Sequence, residues 1–223
     1  MLLAIAATEF EMKPFQALCR LSEDRLATLI SGVGLLESTL TLSRFLQEYH
    51  TNISPVVNFG IGGAYIQGDT DLKVDVLDIC LASREILGDY GVCFGLEVEP
   101  FSDPALSGST SFSLNKELLG LAEQIFAAEH VECHTGNFVS VNGASGSAER
   151  GAYLRDRYEA ICENMEGGAI ARVCEDFSIP LLEIRAISNL VEDRPGTPWR
   201  LPEACDRAAH ATALFVQKIQ ESL

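Results

Sequence analysis

The stretch "EIRAISN", residues 183–189, closes an apolar run that begins at Pro180 and has the composition of a buried strand. The run carries Arg185 in its interior and ends at Ile187, where the polar pair Ser188 and Asn189 follows. A guanidinium keeps its charge in proteins, so a buried arginine requires an acid or another fixed acceptor beside it. A polar pair at a strand end is a common place to hold a ligand. We therefore expect a ligand here, and an acidic partner for Arg185 from elsewhere in the chain.

Short apolar runs and helical patterns alternate outward from this stretch along the whole chain. This alternation favours one α/β domain over residues 1–223, with a largely parallel sheet and helices on both faces. The section 83–113 is rich in Gly, Ser, Pro and acids and predicts the least regular structure, and "NGASGS" (142–147) predicts a loop. The predicted strands cover 2–7, 25–31, 55–59, 74–81, 133–141, 160–163 and 180–187, and the predicted helices cover 8–19, 34–49, 113–129, 147–158, 165–177 and 201–223.

Composition excludes several classes of protein. The chain has 223 residues, of which 47% are hydrophobic, and a formal charge of −16, which disfavours nucleic acid and anionic membranes as partners. No apolar run reaches the roughly 20 residues of a membrane helix, and the N-terminus "MLLAIAATEFEM" lacks the basic leader of a signal peptide. The seven cysteines form no CxxC pair and the four histidines lack metal-ligand spacing. We expect a cytoplasmic protein without a metal or cofactor.

Four strand ends carry residues suited to a ligand site, and such ends meet at one edge of a parallel sheet. They are "ATEFE" (7–11), "FGIGGAY" (59–65), "ENMEGGAIA" (163–171) and "RAISN" (185–189). Glu11 and Glu166 are the natural acidic partners for Arg185. Either could instead serve only locally, because Thr8 and Glu11 have capping-box spacing and an acid near a helix start is favoured by the helix dipole. The glycine stretch permits close approach of a ligand or is a simple turn, and it is not a GxGxxG motif.

The segment "ENMEGGAIARVC" followed by "IPLLEIRAISN" resembles the purine nucleoside phosphorylase and nucleosidase superfamily. The segments "TEFE" and "NFGIGGAY" fall where that family keeps its first catalytic acid and its glycine turn. The tail "NLVEDRPGTPW" and the loop "LGDYGV" (87–92) are similar to the futalosine hydrolase branch. The resemblance implies a three-layer αβα sandwich with a mostly parallel, mixed central sheet, and a homodimer or higher homo-oligomer acting on a small purine nucleoside.

The resemblance also implies roles for individual residues. Met165 would pack under the ribose, and Glu166 would accept its hydroxyl protons and oppose the positive charge of the transition state. Glu11 would orient and deprotonate the attacking water, with Arg185 helping to fix it. Asn189 would hydrogen-bond the departing purine.

Several further positions follow from the same resemblance. Gly62 and Gly63 occupy the family's glycine turn, and Ile61 stands where nucleosidase relatives carry a serine that contacts the water. Arg194 is the candidate to bind the carboxylate tail of futalosine, although simple surface exposure is an equal reading. Phe138 is the candidate to stack on the base.

The amide of Asn189 carries information about the base. A 6-oxopurine presents acceptors at O6 and N7, and a neutral amide can donate to one of them. Adenine presents a donor at N6 beside the N7 acceptor, which suits an acid better. A site built on polar matching rejects the wrong base strongly because its buried groups are left unpaired. Asn189 therefore favours hypoxanthine as the leaving base, unless it is only a strand-end residue in a turn.

Three functions stay open from the sequence. The first is hydrolysis of futalosine with release of hypoxanthine, in menaquinone synthesis. The second is an adenine-type methylthioadenosine/adenosylhomocysteine nucleosidase or a purine nucleoside phosphorylase, and the third is a non-catalytic nucleoside-binding protein. Hydrolysis is preferred to phosphorolysis because a phosphate dianion beside Glu9 and Glu11 would need arginines, and Arg20 and Arg25 lie beyond the first helix.

Overall fold

A computed structural model describes residues 1–19, 21–22, 24–67, 73–106 and 108–221. Among these residues there are ten strands and six α-helices, with one-turn 3₁₀ helices at His50–Asn52 and Pro104–Leu106. The strands are β1 (Leu2–Ala6), β2 (Leu26–Ile30), β3 (Val56–Tyr65), β4 (Ile79–Leu87), β5 (Val92–Phe94), β6 (Glu97–Glu99), β7 (Ser111–Ser113), β8 (Cys133–Ser140), β9 (Ala160–Asn164) and β10 (Leu181–Val191). The helices are α1 (Glu9–Leu18), α2 (Leu35–Tyr49), α3 (Lys116–Ala128), α4 (Ala148–Tyr158), α5 (Gly167–Asp176) and α6 (Leu201–Glu221).

Eight of the described strands form one mixed sheet in the order β10-β4-β8-β9-β3-β1-β2, with β7 paired to β4. Strand β10 also pairs with β3, so the path from β10 through β4, β8, β9 and β3 closes on itself. Five pairings are parallel and three are antiparallel, namely β10–β4, β3–β9 and β4–β7. The prediction of a mostly parallel, mixed sheet is confirmed.

Helices cover both faces of this sheet. On one face α1, α3 and α6 bury apolar side chains against β1, β3, β4 and β10, with Phe15, Phe59 and Phe126 among the largest. On the other face α2 and α5 pack on the same strands through Leu42, Leu46 and other residues. A third, smaller cluster lies under α4. The three-layer αβα sandwich follows from these two apolar faces, and none of the described helices is long and apolar enough to span a bilayer.

Two predicted strands end in the wrong place, and both errors concern the ligand site. Strand β10 continues to Val191, so Ser188 and Asn189 lie inside a strand and not at its end. Strand β3 continues through the glycines to Tyr65, so the predicted glycine turn is strand. The two extensions pair with each other, with a register shift at Ser188, and this pairing satisfies backbone groups that a turn would expose.

Three further boundaries differ from the sequence prediction. Strand β4 begins at Ile79, because residues 75–78 form a turn in which the side chain of Asp78 accepts a hydrogen bond from the amide of Asp75. The N-cap of α3 is Asn115, since Ser113 belongs to β7. Helix α5 begins at Gly167 and not at residue 165. The last two residues of the predicted final helix, and Arg20, lie outside the described part of the chain.

Candidate active site

A cavity of about 600 Å³ opens where β1, β3, β9 and β10 meet the start of α6. Its lining comes from six segments of the chain that are distant in sequence. These segments contribute Thr8, Phe10, Glu11, Val33, Ile61, Gly62, Gly63, Ala144, Ser145, Glu163, Asn164, Met165, Glu166, Ser188, Asn189, Arg194, Trp199, Leu201 and Cys205, among others.

Glu11 both caps helix α1 and lines the cavity. One carboxylate oxygen, Oε2, accepts hydrogen bonds from the amide (2.9 Å) and hydroxyl (2.7 Å) of Thr8, and Oε1 accepts from the amide of Ile61 (3.1 Å). The capping box predicted from the sequence is therefore present, and it aims the acid at the cavity wall. Burial raises the pKa of Glu11 above its ordinary value, and the nearby charge of Arg185 offsets only part of this effect.

Arg185 is 1% exposed and is held by one acid on its own strand and by another at the start of α5. Its Nε donates to Glu183 Oε1 (2.9 Å), while Nη1 donates to Glu166 Oε2 (3.4 Å) and to the carbonyl of Ile61 (3.2 Å). The predicted partner Glu166 is thus in contact, but Glu11 makes no direct hydrogen bond to the guanidinium. The Arg185–Glu183 contact is shorter than the Arg185–Glu166 contact, and the sequence did not predict it. The i, i+2 spacing on one strand nevertheless places the side chains of Glu183 and Arg185 on the same face.

A second buried acid lies behind Glu183. Glu85 accepts hydrogen bonds from Asn164 Nδ2 (2.6 Å) and from the hydroxyl of Ser140 (2.8 Å). Full burial and the charge of Glu183 raise the pKa of Glu85 well above its ordinary value. A Cβ at Gly167 would come within 2.1 Å of Glu85 and 2.6 Å of Glu183, so this acid pair requires a glycine there.

Glu166 is fixed from three sides at the start of α5. Its Oε1 accepts from the amide of Gly34 (3.0 Å) and its Oε2 accepts from Arg185. Its own amide and that of Gly167 donate to Asn164 Oδ1 at 2.9 and 2.7 Å. The backbone of Gly34 has φ of 89°, a conformation that favours glycine and that turns its N–H toward the acid. Met165 lines the cavity next to Glu166.

The other end of the cavity is lined by Asn189 and by a carboxylate that sequence reasoning missed. Asn189 Oδ1 accepts from the hydroxyl of Ser188 (2.8 Å), and its Nδ2 donates to the carbonyl of Leu190 (3.0 Å). Glu163 accepts from the amide (2.7 Å) and hydroxyl (2.6 Å) of Ser145. The predicted strand 160–163 already ends on Glu163, but the sequence alone does not show that this side chain lines the cavity.

The remaining predicted positions divide between the cavity and the core. Gly62, Gly63 and Ile61 line the cavity, and both backbone groups of Ile61 are used, by Glu11 and by Arg185. Arg194 lines its exposed edge, with its guanidinium 4.4 Å from the ring centroid of Trp199. Phe138 is fully buried in the apolar core and does not line the cavity, so it is not positioned to stack on a base.

The arrangement places Glu11, with its raised pKa, and Glu166 beside one end of the cavity, and Asn189 and Glu163 beside the other. Three or more His, Cys, Asp or Glu side chains do not cluster as metal ligands anywhere in the described chain. Carboxylates held at a cavity wall can transfer protons and stabilise positive charge on a bound organic molecule.

The chain belongs to the phosphorylase superfamily, whose model matches residues 4–221. It is 26% identical over 194 residues to an aminodeoxyfutalosine nucleosidase of Helicobacter pylori, an alignment that covers 86% of this chain and 79% of the relative. It is 25% identical over 195 residues to a 5′-methylthioadenosine/S-adenosylhomocysteine nucleosidase of Staphylococcus epidermidis, covering 86% and 80%.

The fold is shared with solved structures at lower identity. A futalosine hydrolase of Helicobacter pylori superposes with a TM-score of 0.81 at 20% identity, covering 97% of each chain. The relatives named here are nucleosidases and hydrolases, and their names divide between futalosine-type and methylthioadenosine-type substrates.

Proposed function

We propose that this protein is a purine nucleosidase of the futalosine hydrolase type, which cleaves the N-glycosidic bond of futalosine with water and releases hypoxanthine for menaquinone synthesis. The observation that carries the proposal is the convergence of Glu11, Glu166 and Asn189 on one cavity from three distant segments. The names of the relatives support the reaction class, since they are nucleosidases.

The site residues suggest a division of labour along the substrate. Glu166 accepts hydrogen bonds from the ribose hydroxyls and opposes the positive charge that builds on the sugar, while Met165 packs under the ring. Glu11 removes a proton from the attacking water, for which a raised pKa is favourable because the base then titrates nearer to the working pH. Arg185 holds Glu166 and the carbonyl of Ile61, and so positions the acids without itself needing to contact the substrate.

The reaction balances with water as the only co-substrate. A water oxygen bonds to C1′ of the ribose, the bond from C1′ to the purine nitrogen breaks, and Glu11 takes the water proton. The purine leaves as an anion, which a hydrogen bond from Asn189 Nδ2 stabilises. Solvent then supplies the proton that completes hypoxanthine.

Water is favoured over phosphate by the charges around the cavity. Arg185 is already paired with Glu183 and Glu166, and Arg194 at the rim is the only Lys or Arg among the described lining residues. A phosphate dianion beside Glu11 would therefore meet acids without a free cation. This is the observation against the alternative of a purine nucleoside phosphorylase.

The alternative of a methylthioadenosine/adenosylhomocysteine nucleosidase is supported by the relative from Staphylococcus epidermidis. Chromatography of the free base from futalosine, inosine and methylthioadenosine separates the two. We expect hypoxanthine from futalosine at a kcat/KM well above that for adenine from methylthioadenosine. Asn189→Asp should shift the preference toward the adenine nucleoside, and an unchanged preference would show that Asn189 does not contact the base.

We also propose that residues 1–223 act as one domain and that the protein functions in the cytoplasm as a homodimer or higher homo-oligomer. Support for self-association comes from large apolar side chains at and near the cavity edge, where Phe10 is 82% exposed and Val33 and Leu36 are also exposed. Light scattering coupled to gel filtration measures the mass directly, and a monomer at micromolar concentration would contradict this part of the proposal.

A further inference from the structure

Glu163 is a buried carboxylate at the cavity wall for which the proposed mechanism has no role. It is 5% exposed, and no Lys or Arg of the described chain forms an ion pair with it. Its Oε1 accepts from the amide of Ser145, and its Oε2 accepts from the hydroxyls of Ser145 and Tyr65 (3.2 Å). An ionised carboxylate offers about four lone-pair sites, so these three donors leave capacity for one more.

The sheet register places Glu163 opposite Asn189 with a gap between them. Gly63 on β3 pairs with Glu163 of β9 on one side and with Asn189 of β10 on the other. Residues in register across neighbouring strands point to the same face, and alternate strands are about 9–10 Å apart. A Cβ at Gly63 would lie 3.3 Å from Asn189 Nδ2, so the glycine leaves the space between the two polar side chains open for a flat ring.

The two side chains differ in what they offer to a purine. Asn189 supplies N–H donors, whereas Glu163 supplies acceptors only. A 6-oxopurine presents the complementary pair, because N1 carries a hydrogen and O6 and N7 are acceptors. A 6-aminopurine presents a lone pair at N1, which would face the carboxylate without a proton between them and would be strongly disfavoured in a buried site.

We propose that Glu163 is a specificity-determining residue that accepts a hydrogen bond from N1–H of a 6-oxopurine, while Asn189 donates to O6 or N7. Ser145 and Tyr65 orient the carboxylate for this contact. The inference rests on the proposed nucleosidase function and deepens it, since it assigns the selection of 6-oxopurine over 6-aminopurine to two side chains instead of one.

Glu163→Gln tests the assignment because the amide removes the charge, keeps the size of the side chain and can donate to an unprotonated N1. We expect kcat/KM for futalosine or inosine to fall roughly 10- to 100-fold, the typical loss of a hydrogen bond to a charged group, and the ratio of 6-oxo to 6-amino substrate turnover to fall by at least as much. Glu132→Gln, an exposed residue away from the cavity, is the matched control and should leave both values unchanged. An unchanged ratio in a folded Glu163→Gln protein overturns the proposal.

Binding of free bases to the unmodified protein gives a second test that does not depend on a variant folding. Titration calorimetry should show hypoxanthine binding at least tenfold more tightly than 1-methylhypoxanthine, which lacks the N1 hydrogen, and equal affinities overturn the role of Glu163.

Failure of the proposed function can be distinguished from failure of this inference. If the unmodified enzyme releases adenine but no hypoxanthine from any nucleoside, the futalosine assignment is wrong. If it releases hypoxanthine but binds 1-methylhypoxanthine equally well, only the role of Glu163 is wrong.

Discussion

The floor of the cavity comprises the lining acids Glu11 and Glu166 together with Arg185 and Glu183, which are bonded behind them, and it lies on or next to strands. The rim lies on helix starts and connecting segments and is formed by Phe10, Val33, Arg194, Trp199 and Leu201. Each floor residue is buried; Glu11, Glu166 and Arg185 bond to other elements, and Glu183 bonds to Arg185 on the same strand. The rim residues are exposed; the guanidinium of Arg194 lies over the ring of Trp199, and its amide donates to the carbonyl of Gly146 (3.2 Å).

The floor and the rim therefore suit different roles toward a substrate. Groups that act on the glycosidic bond need fixed positions and a low dielectric, where electrostatic interactions are strong. Groups that contact the distal part of a substrate remain hydrated, and their individual contributions are small. We therefore expect substitutions in the floor to change turnover or stability by orders of magnitude, and substitutions in the rim to change substrate binding by small factors.

Glu11→Gln should produce the largest effect in the floor. Loss of the base should lower kcat by about 10²–10⁴-fold, the usual contribution of a general base, while affinity for substrate or product changes little. Steady-state kinetics and calorimetric binding of hypoxanthine measure the two quantities. Glu9→Gln, two residues away and exposed beside Lys13, is the control. Turnover equal to that of the control would remove Glu11 from the mechanism.

Glu183→Gln should destabilise the whole protein. Removing one member of a buried ion pair leaves the other charge uncompensated and typically costs about 3–5 kcal/mol. Denaturant unfolding should show this loss in the free energy of unfolding. The same change at Glu203, which is half-exposed and pairs with Arg200, should lower the free energy of unfolding far less, because a solvated ion pair contributes little. Similar losses for both variants would contradict the separation between floor and exterior.

The pH dependence of turnover should report the environment of Glu11. The base acts in its ionised form, so kcat/KM should fall about tenfold per pH unit once the pH drops below the pKa of Glu11. Because burial raises this pKa, the acid limb should lie above 4.5, the ordinary value of a glutamate. The residual activity of Glu11→Gln should lack this limb. A limb at or below 4.5 in the unmodified enzyme would show that the titrating base is less buried than Glu11.

Arg194→Ala should give the smallest effect, confined to the rim. An exposed charge contributes about 0.2–1 kcal/mol, so KM for futalosine, which carries a carboxylate tail, should rise by roughly two- to fivefold without a change in kcat. The KM for inosine, which lacks the tail, should stay the same and serves as the internal control. A change in kcat, or an equal rise in KM for both nucleosides, would place Arg194 outside the tail site.

The sequence predicted the floor better than the rim, for physical reasons. Alternating apolar runs and helical patterns report burial and period directly, so the strands and helices and the acids after β1 and β9 could be located. Glu183 and Glu163 were missed because each reads as the polar partner in an alternating strand. Their burial becomes visible only when β3, β9 and β10 are seen to pair on both sides.

The rim was harder because it depends on where connecting segments fold back. Nothing in the spacing of "EDRPGTPWR" (192–200) shows that Arg194 stacks on Trp199, or that both reach the cavity. The prediction for the end of the cavity that would hold the base was wrong for a similar reason, since "FVSVNGAS" (138–145) suggested an aromatic residue in contact with the ligand. The structure buries Phe138 in the core and places Ala144 and Ser145 at the cavity.

Hypoxanthine release from futalosine, measured by chromatography in phosphate-free buffer and again with added phosphate, distinguishes hydrolysis from phosphorolysis. We expect equal rates in both buffers, with free sugar as the second product. No hypoxanthine in either buffer, or hypoxanthine only with phosphate and accompanied by a sugar 1-phosphate, would contradict this expectation.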